Sequence, residues 1–225
     1  MSATWAVVVA AGRGERLGVD RPKAFAKLAG RALLAESLER LEASEWIDAI
    51  VIVAPEGWEE PSILLAEEIS AGKVSACVAG GETRADSVRA GLGEVPEEAL
   101  VVLVHDAARP VLPEAVIERV LAPLGEGWEG AVPALPVADT LKRADDDGTV
   151  RETVDRSGLY AVQTPQAFMA TVLREALATG EDSSDCAGLV ERRGGRVRLV
   201  EGDPLLLKVT TSADLSFAES LLARA

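Results

Sequence analysis

The chain has 225 residues, 48% of them hydrophobic, with a formal net charge of −14. That length suits one domain, or one domain with an appendage, and is long enough to bury a large core. So acidic a balance argues against a nucleic-acid surface, which needs clustered Lys and Arg, and against docking on anionic membranes.

Taken in order, the elements alternate. Thr4–Val9 is a short apolar run of the kind that forms a buried parallel strand. Leu34, Leu38 and Leu41 make one stripe and predict a helix over Leu33–Ala43. Ala49–Ala54 (AIVIVA) predicts a second buried strand, residues 62–70 a helix, 74–78 a strand and 85–92 a helix. Residues 100–104 (LVVLV) predict another buried strand, and 113–124 a helix that opens on proline, as a first turn tolerates. A strand follows at 131–135, helices at 171–178 and Cys186–Arg192, a strand at 197–200 and a closing helix at 213–223. This alternation predicts a single α/β domain over residues 1–225, Rossmann-like, with a mostly parallel sheet and helices on both faces.

Residues 136–163 break the pattern. They are polar and contain Asp145-Asp146-Asp147-Gly148, a turn signal between two strand-like runs. A β-hairpin arm standing away from the sheet is expected within this segment, over residues 136–158. An isolated hairpin is marginal in water, so it needs a surface to pack on, and a second subunit is the natural candidate. Cys77 and Cys186 are far apart and match no metal-ligand spacing, so reduced thiols are expected. The N-terminus lacks the pattern of a signal peptide and no apolar run is long enough to span a membrane, so a cytoplasmic protein is expected.

The most telling stretch is Ala10-Ala11-Gly12-Arg13-Gly14-Glu15-Arg16 with Pro22-Lys23 behind it. Gly12 and Gly14 permit a tight turn and close approach of backbone to a ligand. Their N–H groups can line an anion nest, and Arg16 and Lys23 add positive charge. A nucleoside triphosphate and chemistry at phosphorus are therefore expected. The string is not a P-loop, which needs Gly-Lys-Ser/Thr, and Gly18 falls one position late for a dinucleotide fingerprint. An ordinary strand-to-loop turn is the plain alternative.

Ligands of open parallel sheets bind beyond the carboxyl ends of the strands. Four segments should meet there: residues 10–23, 80–87, 105–110 and the stretch leading to Lys208. Gly80-Gly81 precedes a helix whose N-terminal N–H groups suit a base or phosphate. Asp106, two residues after LVVLV, is placed like a carboxylate that holds Mg²⁺, or else like a cap. His105 reads as structural. Arg109, beside Asp106, reads as an anion ligand or a surface charge.

Six blocks then carry a resemblance that covers nearly the whole chain: AAGRGERLGVDRPK (10–23), GGETRADSV (80–88), VHDAARP (104–110), DTLKR (139–143), TVDRSGLYAVQTPQAF (153–168) and LKVTTSADL (207–215). The chain resembles the 2-C-methyl-D-erythritol 4-phosphate cytidylyltransferases of the non-mevalonate isoprenoid pathway. The first block is shared by the wider nucleotidyltransferase group; the others are sharper. The resemblance implies transfer of the cytidylyl group of CTP to a polyol phosphate, with Mg²⁺. It implies that Ala10, Ala11, Gly12, Gly81 and Ser87 line the cytidine part of the nucleotide site, beside Gly14. Arg16, Lys23 and Lys208 would serve catalysis around the α-phosphate, and Asp106 the metal. Arg109, Thr140, Arg156 and Thr164 would hold the sugar phosphate, with Thr140 and Arg156 reaching across from the arm of a homodimer partner. Two positions depart from the family pattern: Ala24 and Leu206 stand where glutamine and asparagine are usual. A ribitol 5-phosphate cytidylyltransferase, a non-catalytic nucleotide-binding regulator and a dinucleotide oxidoreductase are the alternatives.

Overall fold

The computed structural model of the chain describes residues 4–12, 14, 17 and 21–222. The elements run β1 (Thr4–Val9), β2 (Lys27–Leu28), β3 (Arg31–Ala32), α1 (Leu33–Ala43), β4 (Ala49–Ala54), α2 (Glu59–Glu68), β5 (Val74–Ala79), α3 (Arg84–Gly93), β6 (Val101–Asp106), α4 (Glu114–Gly125) and β7 (Gly130–Pro136). They continue with β8 (Leu141–Ala144), β9 (Val150–Val154), β10 (Tyr160–Val162), β11 (Gln166–Met169), α5 (Ala170–Leu177), α6 (Cys186–Arg192), β12 (Val197–Glu201) and α7 (Ser212–Leu222).

Eight strands form one sheet. β1 lies between β4 and β6, parallel to both, and β5 extends the sheet parallel to β4. All six residues of β4 are buried, as a strand covered on both faces requires. Beyond β6 the sheet turns antiparallel. β11 pairs with β6 and β7, β10 continues along β7, and β12 runs parallel to β7 on its other edge. Side chains of the strands alternate between two cores. Val7, Val51, Val53, Val104 and Phe168 pack with α3, α5 and α6. Ala6, Val8, Ile50, Ile52 and Leu103 pack with α1, α2 and α4. Each fully buried Val, Ile or Leu contributes about 1.5–3 kcal/mol relative to exposure.

Gly91 sets how closely α3 lies on the sheet. A Cβ there would sit 2.6 Å from both Val7 Cγ1 and Val53 Cγ2. The bare backbone brings the helix down onto β1 and β4, and so fixes the height of its N-terminus above the strand ends.

The expected helices and the six expected strands are present, most within a residue or two of the expected bounds. α2 begins three residues earlier than expected, at Glu59. Pro61 lies in its first turn, where a missing N–H costs nothing. Pro113 stands outside α4 as its N-cap rather than inside the helix. Residues 141–144 and 150–154 form a separate two-stranded hairpin, whereas 160–162 joins the main sheet. β2 and β3, a short antiparallel pair, and the antiparallel strands β10 and β11 are additions to the expected elements.

Candidate active site

The chain leaves β1 toward β4 and β5 and later returns to the other flank of β1 as β6, so the strand order reverses between β1 and β6. At such a reversal the connections diverge and leave a crevice. A cavity of about 580 Å³ opens there. Its lining includes Ala10, Ala11, Gly12, Gly14, Lys23, Gly81, Ser87, Asp106 and Lys208. The loops are tied down at their roots: Ala10 N–H donates to Val53 O at 2.8 Å, Gly80 N–H to Ala54 O at 2.8 Å, and Ala107 N–H to Val9 O at 3.0 Å.

Gly14 has φ +71°, and a Cβ on it would lie 2.6 Å from Lys23 Cβ. Its glycine character is thus what lets Lys23 approach the turn. Lys23 opens a 3-10 turn that also carries Ala24, which is buried and faces the cavity. On the other wall, Thr83 caps α3 through a reciprocal capping box with Asp86. Ser87 Oγ accepts from Gly81 N–H at 3.2 Å and donates to Thr83 O at 3.0 Å, so Ser87 shapes the Gly80-Gly81 turn. A Cβ on Gly81 would collide with Asp86.

Asp106 is the electrostatic centre. Its Oδ2 accepts from Lys208 Nζ at 2.7 Å, and its Oδ1 from Arg84 Nε at 3.2 Å and Nη2 at 3.1 Å. Burial alone would push this carboxyl up, but the attraction of Arg84 and then Lys208 outweighs it and holds it well below the usual carboxylate range. Asp106 is therefore ionised throughout the neutral range. Arg84 was not among the expected site residues; its place three residues after Gly81 was the only signal available.

A second cavity of about 370 Å³ adjoins the first, sharing Arg84, Asp106 and Lys208 and adding Arg109, Tyr160, Thr164 and others. Arg109 is buried, donates through Nη1 to Leu206 O, and has an Nε without a hydrogen-bond partner. Burial lowers its pKa. Leu206 is wholly buried and packs into the core on the α1, α2 and α4 side. The residue at this departure from the family pattern thus anchors the loop through its side chain and holds Arg109 through its carbonyl. Gln163 grips the same loop: Nε2 donates to Asp203 O at 2.9 Å and Oε1 accepts from Asp203 N–H at 3.0 Å. Val209 N–H donates to Ala108 O at 2.8 Å, which places Lys208 over the end of β6.

Thr164 lies beneath these charges. Its Oγ1 accepts from Asp106 N–H at 3.0 Å and lies 3.3 Å from His105 Nδ1. His105 Nε2 lies 3.1 Å from Arg109 O, which can only accept. Nε2 therefore carries the proton, and the Thr164 hydroxyl donates to Nδ1. Burial drives the His105 pKa down to about 4. Thr140 and Arg156 are exposed on and beside the arm and line neither cavity. The Arg156 guanidinium donates through Nη1 to Val137 O at 3.4 Å. Arg16 lies outside the described residues. Among the described residues no cluster of three or more His, Cys, Asp or Glu stands ready for a metal.

This arrangement can hold a polyanion between two basic walls and present a second anion from the adjoining cavity. The profile of the 2-C-methyl-D-erythritol 4-phosphate cytidylyltransferase family matches residues 4–224. The chain belongs to that family. A cytidylyltransferase of that name from Nocardia farcinica is 47% identical over 219 residues, covering 97% of this chain and 94% of the relative. One from Saccharopolyspora erythraea is 47% identical over 222 residues, covering 97% and 98%. Among solved structures, the Thermus thermophilus cytidylyltransferase superposes with a TM-score of 0.79 at 34% identity, covering 97% of this chain and 98% of that one. The 4-diphosphocytidyl-2C-methyl-D-erythritol synthase of Anaerococcus prevotii reaches 0.83 at 28% identity, covering 98% of both. The chain is thus an enzyme of the cytidylyltransferase class, and nothing in these likenesses favours the ribitol, regulatory or oxidoreductase readings. Among the described residues no helix is long and apolar enough to cross a membrane.

Proposed function

We propose that the larger cavity binds CTP, that the smaller binds 2-C-methyl-D-erythritol 4-phosphate, and that the enzyme joins them in the cytoplasm. The observation that carries this is the pair of contiguous cavities sharing Asp106, Arg84 and Lys208. A 4-phosphate oxygen attacks the α-phosphorus of CTP in line; a new P–O bond forms as the bond to pyrophosphate breaks, and pyrophosphate takes the electron pair. No protein nucleophile is needed, because the attacking group is already anionic. Bringing two anions together makes charge neutralisation and positioning the main tasks.

Ala10, Ala11, Gly12, Gly14, Gly81 and Ser87 form the nucleotide wall. Lys23 and Arg16 neutralise the charge that builds on the α-phosphate and leaving group, and Lys208 approaches from the side of the incoming phosphate. Arg109 and Thr164 stand on the polyol-phosphate side, Thr164 by fixing the end of β6, since its hydroxyl is engaged within the protein. Thr140 and Arg156 complete that side from the arm of a homodimer partner.

Mg²⁺ would find one protein carboxylate here, Asp106, whose oxygens are paired with Lys208 and Arg84. The cation is commonly held by one or two carboxylates plus substrate phosphates, and Asp106 supplies one ionised carboxylate at the junction of the cavities. When bound, it supplies charge neutralisation on the phosphates. Asp106 would hold it.

The test is pyrophosphate release from CTP with each polyol phosphate. Methylerythritol phosphate should give the higher kcat/KM; a faster reaction with ribitol 5-phosphate would reassign the smaller cavity.

A further inference from the structure

We propose that Arg84 is a positioning residue that acts on catalysis through Asp106 rather than by touching either substrate. Arg84 is the first residue of α3, and its guanidinium reaches down to the end of β6. The edge formed by Nε and Nη2, which would grip a phosphate with two hydrogen bonds, is spent on the single oxygen Oδ1 of Asp106. The remaining nitrogen, Nη1, lies 3.5 Å from Cys186 Sγ at the start of α6. Cys186 is itself fixed, because its N–H donates to Gln166 Oε1 at 3.2 Å while Gln166 Nε2 donates to Asp185 at 3.0 Å. Arg84 is therefore held from below by a buried corner of the fold and presents one rigid face upward.

The two cations on Asp106 are not equivalent. Arg84 is 19% exposed and makes two contacts to one oxygen, whereas Lys208 is 43% exposed and makes one contact to the other. Arg84 is the fixed member of the triad. By holding Oδ1 it sets the rotation of the carboxylate and leaves Oδ2 turned to Lys208. A lysine in its place would keep the charge but lose the planar fork that sets that rotation.

This rests on Asp106 belonging to the catalytic site, and the test separates the two ideas. Arg84→Gln and Arg84→Lys are made in the wild-type chain and in an Asp106→Ala chain. Partners that orient such groups typically cost about 10–100-fold when removed. Each single Arg84 variant should lose kcat by that order, with CTP affinity measured by calorimetry changed less than about threefold. In the Asp106→Ala background the same substitutions should cost nothing further, because their route to catalysis is already gone. An equal loss in both backgrounds, or a loss of CTP affinity that matches the loss of rate, makes Arg84 a direct ligand and overturns the proposal. Full activity of Asp106→Ala alone instead removes the reading of Asp106, and Arg84's role falls with it. Thermal unfolding accompanies each variant. Arg84→Lys keeps the charge balance of the buried carboxylate, and so reports even if Arg84→Gln does not fold.

Discussion

Lys208 Nζ and Asp106 Oδ2 are joined at 2.7 Å across a sequence separation of 102 residues. One carboxylate thus holds a loop from the end of the chain over the end of a central strand. Because both cavities include this pair, the same contact that braces the loop also sets the charge between the two cavities.

Asp106→Asn should test both roles. It keeps the shape and removes the charge. Activity should fall by about 10–100-fold, as for other groups that support a metal or a catalytic partner, and raised Mg²⁺ should partly restore it. Losing the carboxylate also leaves Arg84 buried and uncompensated, at a cost of about 3 kcal/mol. The sign with pH follows from the depressed pKa. The stabilisation is fully present above the unfolded carboxylate value of about 4 and fades only as pH falls below it. Urea unfolding should therefore separate wild type and variant at pH 7 and bring them together in strong acid. A normal rate at low Mg²⁺ would leave Asp106 with a structural task alone.

Gly14 and Lys23 make a second coupled pair. Gly14→Ala must place a Cβ at φ +71° and 2.6 Å from Lys23 Cβ. The backbone conformation costs about 1–2 kcal/mol, and the displaced Lys23 should lose kcat with little change in KM for CTP. Lys23→Ala should lose about 10²–10³ in kcat, the cost of one preorganised charge-stabilising contact. Steady-state kinetics on both variants decide it: a rise in KM alone would make Lys23 a binding residue.

The sequence carried the parallel half of this molecule well. AIVIVA and LVVLV are apolar throughout, and TWAVVV is apolar after its threonine, because both faces are covered, and nothing but a buried strand suits runs so short. The antiparallel half was less legible. β10 and β11 are short, flank Pro165 and contain Gln166, whose buried amide is satisfied by Asp185 and Cys186 from a distant segment. No local pattern announces such a partnership. The glycine loop and Asp106 stood out because both lie at the carboxyl ends of strands. Arg84 and Gln163 did not, since their value lies in partners 22 and 40 residues away.

His105, the chain's sole histidine, gives a clean pH readout. Burial lowers its pKa to about 4; Asp106 pulls it upward, while the positive Arg109 and Arg84 push it down. The folded chain thus keeps it neutral where the unfolded chain, at about 6.5, begins to take up a proton. Stability from this source is present above pH 6.5 and is lost between that value and about pH 4, by about 3 kcal/mol in all. The single imidazole signal in proton NMR should stay in its neutral position down to about pH 4, with nitrogen shifts of a proton on Nε2. A midpoint near 6.5 would mean that His105 is not buried in solution as it is in the structure.

The arm poses the remaining question. Among the described residues β8 and β9 pair only with each other, and their surface is almost wholly exposed. Ion pairs such as Arg143–Glu152 at 2.7 Å are exposed and contribute little, so the hairpin lacks a core of its own. Val150 on the hairpin and Leu159, Tyr160 and Val162 beyond it leave apolar surface open. Thr140 and Arg156 sit here, away from the cavities of their own chain. The proposed two-fold dimer would answer both needs, each arm packing on its partner and carrying Arg156 to the partner's smaller cavity, where a planar fork can grip a phosphate. Complementation checks it. Lys23→Ala and Arg156→Ala chains, each nearly inactive alone, are mixed under conditions where subunits exchange. In the mixed dimer one site pairs an intact Lys23 with the partner's intact Arg156, and the other carries both defects. Activity should reappear, up to about half of the wild-type rate per mixed dimer, since one of its two sites is whole. If mass spectrometry shows mixed dimers and no activity returns, Arg156 serves its own chain and the sites are not shared.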